Sequence, residues 1–374
     1  MPFVEGRRTL IYGRSRLVSA LSPDEALYDK VAKKILVETL RMKKGETLTI
    51  ETWDNGLPFA RRLLVEARRL GAIPVMIVED ERAYIEGLRV APKDSLGSMG
   101  KHEHGLLAGS DAYVFIPGPP IGAYSPNLPR DLVTESTRYN SSWYEAAEKA
   151  KLRGARLPFG YVGKEYARLY RKKPQEFVRH QLKAALADFS DVSAGGKVVG
   201  DAMRDGAETT LLTSGGRLEF ALQGEMEIED GIVDHGDVEA GHNMSYVPPG
   251  YVSKQVDPTS GRGTVALSPS VTRLGLLVDA KLELEGGRLV GWGSQGAPKI
   301  LRELVEAVQL EKRTLSLITV GLNPLMKYEN GQDRMVSGAI GLSGFGFSGI
   351  VRRGSLSVGG RDLIRKGRLT TTPA

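Results

Sequence analysis

A strand, a helix and a second strand follow one another within residues 48–80, and this order constrains the fold more than any other feature of the chain. LTIET (48–52) reads as a buried strand. An amphipathic helix runs from Leu57 to about Leu70 and is closed by Gly71, and IPVMIVED (73–80) is the next strand. Two strands joined through one helix run parallel, with a right-handed crossover. Upstream, Leu27, Val31, Ile35, Leu36 and Leu40 share one helical face within 24–48, and the Lys-Lys-Gly run at 43–45 ends that helix. AYVFIPG (112–118) predicts a third strand. The proline- and glycine-rich stretch after it cannot continue a helix or a central strand, and a long helix is expected over roughly 128–155.

The pattern changes near 186–196, where the small and polar DFSDVSAGGK reads as a linker. Beyond it short alternating strands dominate: GRLEFALQG, LLVDAKLELEGGRLVGW, LSLITVG and SLSVGGRDLIRKGRL. The Glu-Gly-Gly-Arg turn at 285–288 closes a hairpin, and APKILRELVEAV (297–308) is the one prominent helix. The expected fold is therefore an α/β N-terminal domain with a parallel sheet, residues 1–187, and a β-rich α+β C-terminal domain, residues 188–374.

Composition removes several chemistries. The chain has no cysteine, which excludes disulfides, thiolate metal sites and cysteine nucleophiles. Its five histidines are His102, His104, His180, His235 and His242, so residues 243–374 offer no imidazole. Metal or general-base chemistry housed there must use carboxylates, lysine or tyrosine. No apolar run reaches the roughly 18–20 residues of a membrane helix, and the N-terminus is charged where a signal peptide is apolar. A cytoplasmic location without membrane contact is expected. Charge richness without cysteine also fits a thermophile.

Four local patterns carry possible chemistry. EMEIEDGIVDHGDVEAGHN reads as a solvated acidic loop, the alternative being a divalent metal site, such as zinc, on His235, Asp237, Glu239 and His242. His102-Glu103-His104 reads as a surface segment or a helix start, the alternative being a metal-binding pair sharing one face of a strand. GFGFSG (344–349) matches a nucleotide-binding glycine pattern in letters alone, because no helix pattern follows it, and its glycines are expected to permit tight backbone packing or turns with positive φ. The stretch 151–183 holds ten Lys/Arg with interleaved aromatics. Its polyanion-binding candidates are Arg168, Arg171, Lys172, Lys173, Arg179 and Lys183, with Tyr166 and Tyr170 to stack on bases. The competing reading is an amphipathic segment with its aromatics in the core, and the chain's net charge of +6 permits either.

KILVETLRMKKGETLTIETWDNGLPFARRLLVEARRLGAIPVMIVED, GSDAYVFI (109–116) and AETTLLTSGGRLEFALQG (207–224) follow in an order that resembles aminopeptidase T and its relatives, the thermophilic two-metal aminopeptidases. The resemblance continues through VPPGYV (247–252), GRLVGWGSQGA (287–297), ITVGLNP (318–324) and DLIRKGRL (362–369). It implies a homodimer with an internal cavity and, in the family, two metal ions held by glutamates, histidines and an aspartate. Carried over one by one, those ligand positions fall here on Tyr251, Leu317, Ser337, Gly346 and Ser348, none of which suits a dinuclear centre. The expectation is a non-catalytic descendant without cofactor that binds a peptide in the cavity, or RNA or a ribonucleoprotein on its basic surface. The alternative is a metal-dependent aminopeptidase or hydrolase with displaced ligands.

Overall fold

A computed structural model describes residues 23–118, 130–161, 167, 170–272, 274–329 and 331–370. The strand–helix–strand unit forms as the sequence predicts. β1 (Thr47–Trp53) and β2 (Ile73–Glu79) run parallel and are joined through α2 (Leu57–Arg69). β3 (Ala112–Ile116) and β4 (Arg153–Arg156) extend the sheet on the other side of β1. The sheet is completed by β7 (Met244–Tyr246), which arrives from far downstream, giving the order β2-β1-β3-β4-β7.

Helix α1 (Pro23–Lys34) passes into a π turn over Ile35–Thr39, in which the Leu40 amide donates to the Ile35 carbonyl at 2.9 Å. The helix thus ends earlier than the apolar pattern suggested, yet Ile35, Leu36 and Leu40 are all buried. They pack with Leu48, Ile50, Leu63 and Val114 into the core of the first sheet. α3 (Glu81–Val90), α4 (Lys101–Ala108) and α5 (Arg130–Lys149) belong to the same half, as does a helix over Pro174–Ala184 whose Leu182 joins this core. The expected 128–155 helix is therefore shorter, because β4 takes its last residues.

The second half is a large antiparallel sheet of short strands. Along its main path lie β16 (Phe347–Val351), β15 (Ile340–Gly344), β14 (Leu315–Gly321), β8 (Tyr251–Val256), β6 (Gly216–Glu229), β5 (Glu208–Thr213), β17 (Ser355–Val358), β18 (Arg361–Arg365) and β19 (Arg368–Leu369). β9 (Arg262–Ala266), β12 (Ala280–Glu285) and β13 (Arg288–Ser294) branch from it, and β10 (Ser270–Thr272) pairs with β11 (Gly275–Leu277) separately. Gly286 and Gly287, at φ 54° and 76°, make the predicted turn between β12 and β13. The helix expected at 297–308 forms over Pro298–Glu306.

The expected linker is a correction: Phe189–Ala202 is helical, N-capped by Asp188. Glycine is a poor helix former, but here close packing decides. A Cβ on Gly196 would lie 2.6 Å from the Ile228 side chain, and one on Gly200 would lie 3.2 Å from Met226. The glycines let this helix lie directly on β6. Among the described residues no helix is long and apolar enough to cross a membrane.

Candidate functional site in the acidic cavity

The Glu-Met-Glu-Ile-Glu run expected to be a solvated loop is instead the end of β6, a strand of fourteen residues. Alternation along a strand sends Glu225, Glu227 and Glu229 to one face and Met226 and Ile228 to the other. Glu229 is only 4% exposed. It accepts hydrogen bonds from the Ser245 hydroxyl, from the Tyr246 amide at 2.9 Å and from the Gly231 amide at 3.3 Å. Burial pushes its carboxyl up to about 8, against the lowering effect of those donors. Glu229 therefore keeps its proton to a higher pH than an exposed glutamate does.

Glu229 lines a cavity of about 460 Å³ together with Glu227, Asp230, Asp234, Asp237 and His242, while Arg41 and Lys197 contribute the cations. The acidic excess favours a positively charged ligand group. Asp234 caps the short helix His235–Glu239 by accepting from the Asp237 amide, and Asp237 reciprocates to the Asp234 amide. Of the four residues considered for a displaced metal, Asp237 and His242 face the cavity, whereas His235 and Glu239 are exposed and do not line it. Among the described residues, no three or more histidine, aspartate or glutamate side chains are grouped to hold a metal ion.

Beside Glu227 stands Tyr251, 4% exposed. Its hydroxyl donates to Glu227 at 3.0 Å, and Ser253 on the same strand donates to the other oxygen at 3.3 Å. The Arg334 guanidinium lies over the Tyr251 ring at 4.7 Å. Burial raises the phenol's pKa, so Tyr251 stays neutral.

The five positions carried over from the resemblance do not converge. Tyr251 is paired with Gly321, and the Ser337 amide donates to the Asn323 carbonyl nearby. Leu317 pairs with Gln255, four residues farther along β8, a distance of about 13 Å at the usual strand rise. Ser348 lies with Leu317 at that far end, through Ser343, and Gly346 sits in the next turn against the Leu304 carbonyl. The GFGFSG stretch is this β15–β16 hairpin, with positive φ at Gly344, Phe345 and Gly346. Its glycines serve a turn, as expected. His102 and His104 are exposed in the first turn of α4, also as expected.

In the basic stretch, Tyr166 and Arg168 lie outside the described residues. Tyr170 packs edge-on against the fully buried Phe177 at 5.0 Å, and Phe159 packs against Phe59 at 5.1 Å. Lys172 donates to the Glu329 carbonyl at 2.9 Å, and Arg179 pairs with Asp24 at 2.7 Å. Arg171, Lys173 and Lys183 are exposed. His180 accepts from the Lys327 amide at 2.9 Å, and burial lowers its pKa. These contacts tie the stretch to its surroundings through its aromatics and several of its charges.

Sequence reasoning missed Glu229 as a buried group, and missed Ser245, Ser253 and Arg334 altogether. The alternation of Glu-Met-Glu-Ile-Glu was the available signal. A second acid was missed too: Glu51 on β1 accepts from the Tyr113 hydroxyl, and burial raises it to about 7.

The sequence matches no family model and no curated protein sequence. Its fold is similar to that of wild-type AmpT from Thermus thermophilus, with a TM-score of 0.64 and 16% identity over 93% of this chain and 100% of that one. It is also similar to 2,5-dihydroxypyridine dioxygenase from Pseudomonas putida KT2440, with a TM-score of 0.61 and 13% identity over 94% of this chain and 99% of that one. Likeness at these identities establishes a fold. The architecture is the aminopeptidase-like one: a parallel sheet with helices joined to a large antiparallel sheet.

Proposed function

We propose that this chain is a binding protein built on the aminopeptidase-like fold, without the family's two-metal site, and that its acidic cavity receives the cationic end of a peptide. The observation that carries this reading is the Tyr251 constellation. At the position where the resemblance implies a metal-binding glutamate, a neutral phenol donates to Glu227 beneath the Arg334 guanidinium. A fixed cation beside that position opposes a divalent ion, while the carboxylates around Glu229 suit an ammonium group. A polyanion ligand such as RNA or a ribonucleoprotein has weaker support, because Tyr170 is packed on Phe177 rather than offered to a base.

The test is calorimetry with short peptides carrying free or acetylated amino termini, beside elemental analysis of the purified protein. Binding of the free amine that acetylation weakens at least tenfold supports the proposal. Two tightly held metal equivalents, or turnover of a leucyl amide that a chelator abolishes, would replace it with the hydrolase reading on displaced ligands.

A further inference from the structure

The face of the first sheet that α5 covers carries another cavity, whose floor is set by register. Glu51 on β1 pairs with Phe115 on β3, Phe115 with Arg156 on β4, and Arg156 with Tyr246 on β7. Residues in register on neighbouring strands point to one side of a sheet. A carboxyl, a ring, a guanidinium and a second ring therefore form one row across the strands. The row lies near their carboxyl ends, and it crosses the place where the strand order reverses, with β2 on one side of β1 and β3 on the other. Open parallel sheets take their ligands at such a place.

α5 supplies the roof. Tyr139 and Trp143, one helical turn apart, line the cavity together with the exposed Tyr144. The Trp143 ring packs edge-on against Tyr113 at 5.1 Å, and the Tyr113 hydroxyl holds Glu51, so Trp143 stands at the Glu51 end of the row. The space is about 40 Å³. That is room for about three waters by the volume one water needs, so it fits a head group of a few heavy atoms and not a peptide.

Two observations give the charge this space suits. Among the described residues the Glu51 carboxyl has one donor, Tyr113, on one oxygen, which leaves the other oxygen for a ligand. Burial, with the charges of Glu79 and Glu103, holds its pKa up to about 7, so its ionised form lacks a compensating cation. The rings are the second observation. This row already holds one cation by its ring faces: the Arg156 guanidinium lies 5.2 Å from the Phe115 centroid and 5.9 Å from that of Tyr246, and donates to the Tyr144 hydroxyl at 3.2 Å. Arg156 sits two strands from Glu51, about 10 Å of sheet away.

We propose that this cavity binds the head group of a small primary amine, its ammonium donating to the second oxygen of Glu51 beside the Trp143 ring and its tail leaving past Tyr144. A primary amine is specified because that oxygen needs an N–H. Met244 on β7 lines this cavity and the acidic one alike, so binding has to be assigned through Glu51.

The probe is propylammonium, titrated into the full chain by calorimetry at pH 8, with propionate beside it. The amine should bind, and Glu51→Gln, which still accepts from Tyr113, should weaken it at least tenfold without lowering the melting temperature. The native chain supplies a second reading that needs no variant. A bound cation favours the ionised carboxyl, so affinity should rise roughly tenfold from about pH 6 to 8 around a pKa of about 7. Three results overturn the proposal: no uptake of propylammonium, uptake that Glu51→Gln weakens less than tenfold, or propionate binding more tightly than the amine. The second assigns the amine to the acidic cavity, and the third assigns this one to Arg156 and an anion.

Discussion

The Tyr251 hydroxyl and the Glu227 carboxylate meet across the β6–β8 ladder at 3.0 Å, with Ser253 completing the acceptor's partners. A carboxylate introduced at position 251 would face Glu227 instead of bonding to it. Tyr251→Glu is accordingly expected to destabilise the fold and to yield no chelator-sensitive peptidase activity. Tyr251→Phe removes only the hydrogen bond and should cost about 1 kcal/mol in a urea titration. Metal-dependent turnover by Tyr251→Glu would contradict the site as described.

Glu229 makes stability depend on pH. Its carboxyl titrates near 4.5 when unconstrained and at about 8 when buried. Between those values the unfolded chain releases its proton while the folded one keeps it. The contribution is thus fully present below about 4.5 and lost as pH rises through 8, by up to about 1.4 kcal/mol per unit. Melting temperatures from pH 5 to 9 should fall less steeply in Glu229→Gln. Glu51, raised to about 7, acts in the same direction, so some slope must survive in that variant.

Asn323 is completely buried. Its amide nitrogen donates to the Ala184 carbonyl at 3.1 Å and to the Pro249 carbonyl at 2.7 Å, while its oxygen accepts from the Leu325 and Met326 amides. Asn323→Ala should destabilise by about 3 kcal/mol, because four backbone groups, three of them in buried contacts, lose their partner. Asn323→Asp should fare no better, since a carboxylate cannot donate to two carbonyls. A loss below 1 kcal/mol in chemical denaturation would show that water replaces the side chain.

For the basic stretch, Tyr170→Ala separates two outcomes. Packing against Phe177 predicts a loss of about 2 kcal/mol in stability and no specific change in RNA affinity. Replacing Arg171, Lys172 and Lys173 together by glutamate should leave the fold intact apart from the contacts of Lys172 with Glu329 and with the Phe177 ring. RNA retention at about 50 mM salt that is lost in this triple variant would restore the polyanion reading.

The βαβ unit and the hairpins were legible because they rest on local signals: periodicity, a closing glycine, a two-glycine turn. The helix Phe189–Ala202 was not, since Gly195, Gly196 and Gly200 argue against a helix until β6 lies against the last two. Nor was the burial of Glu229, which depends on Ser245 and Tyr246 arriving from β7. The basic stretch showed its composition but not its partners: Glu329 and Asp24 are remote in sequence. Short-range pattern located the strands, and long-range pairing decided what the acids do.

β7 has a consequence for how the molecule can be cut. Met244–Tyr246 belongs to the later half of the chain but is a structural part of the earlier half's sheet, hydrogen-bonded along β4. A polypeptide ending at residue 187 would expose β4 as a raw edge and leave the first sheet one strand short. The two fragments made by cleavage there should therefore behave as complementing halves: poorly soluble alone, and reassembling when mixed, with β7 as the piece that one lends to the other.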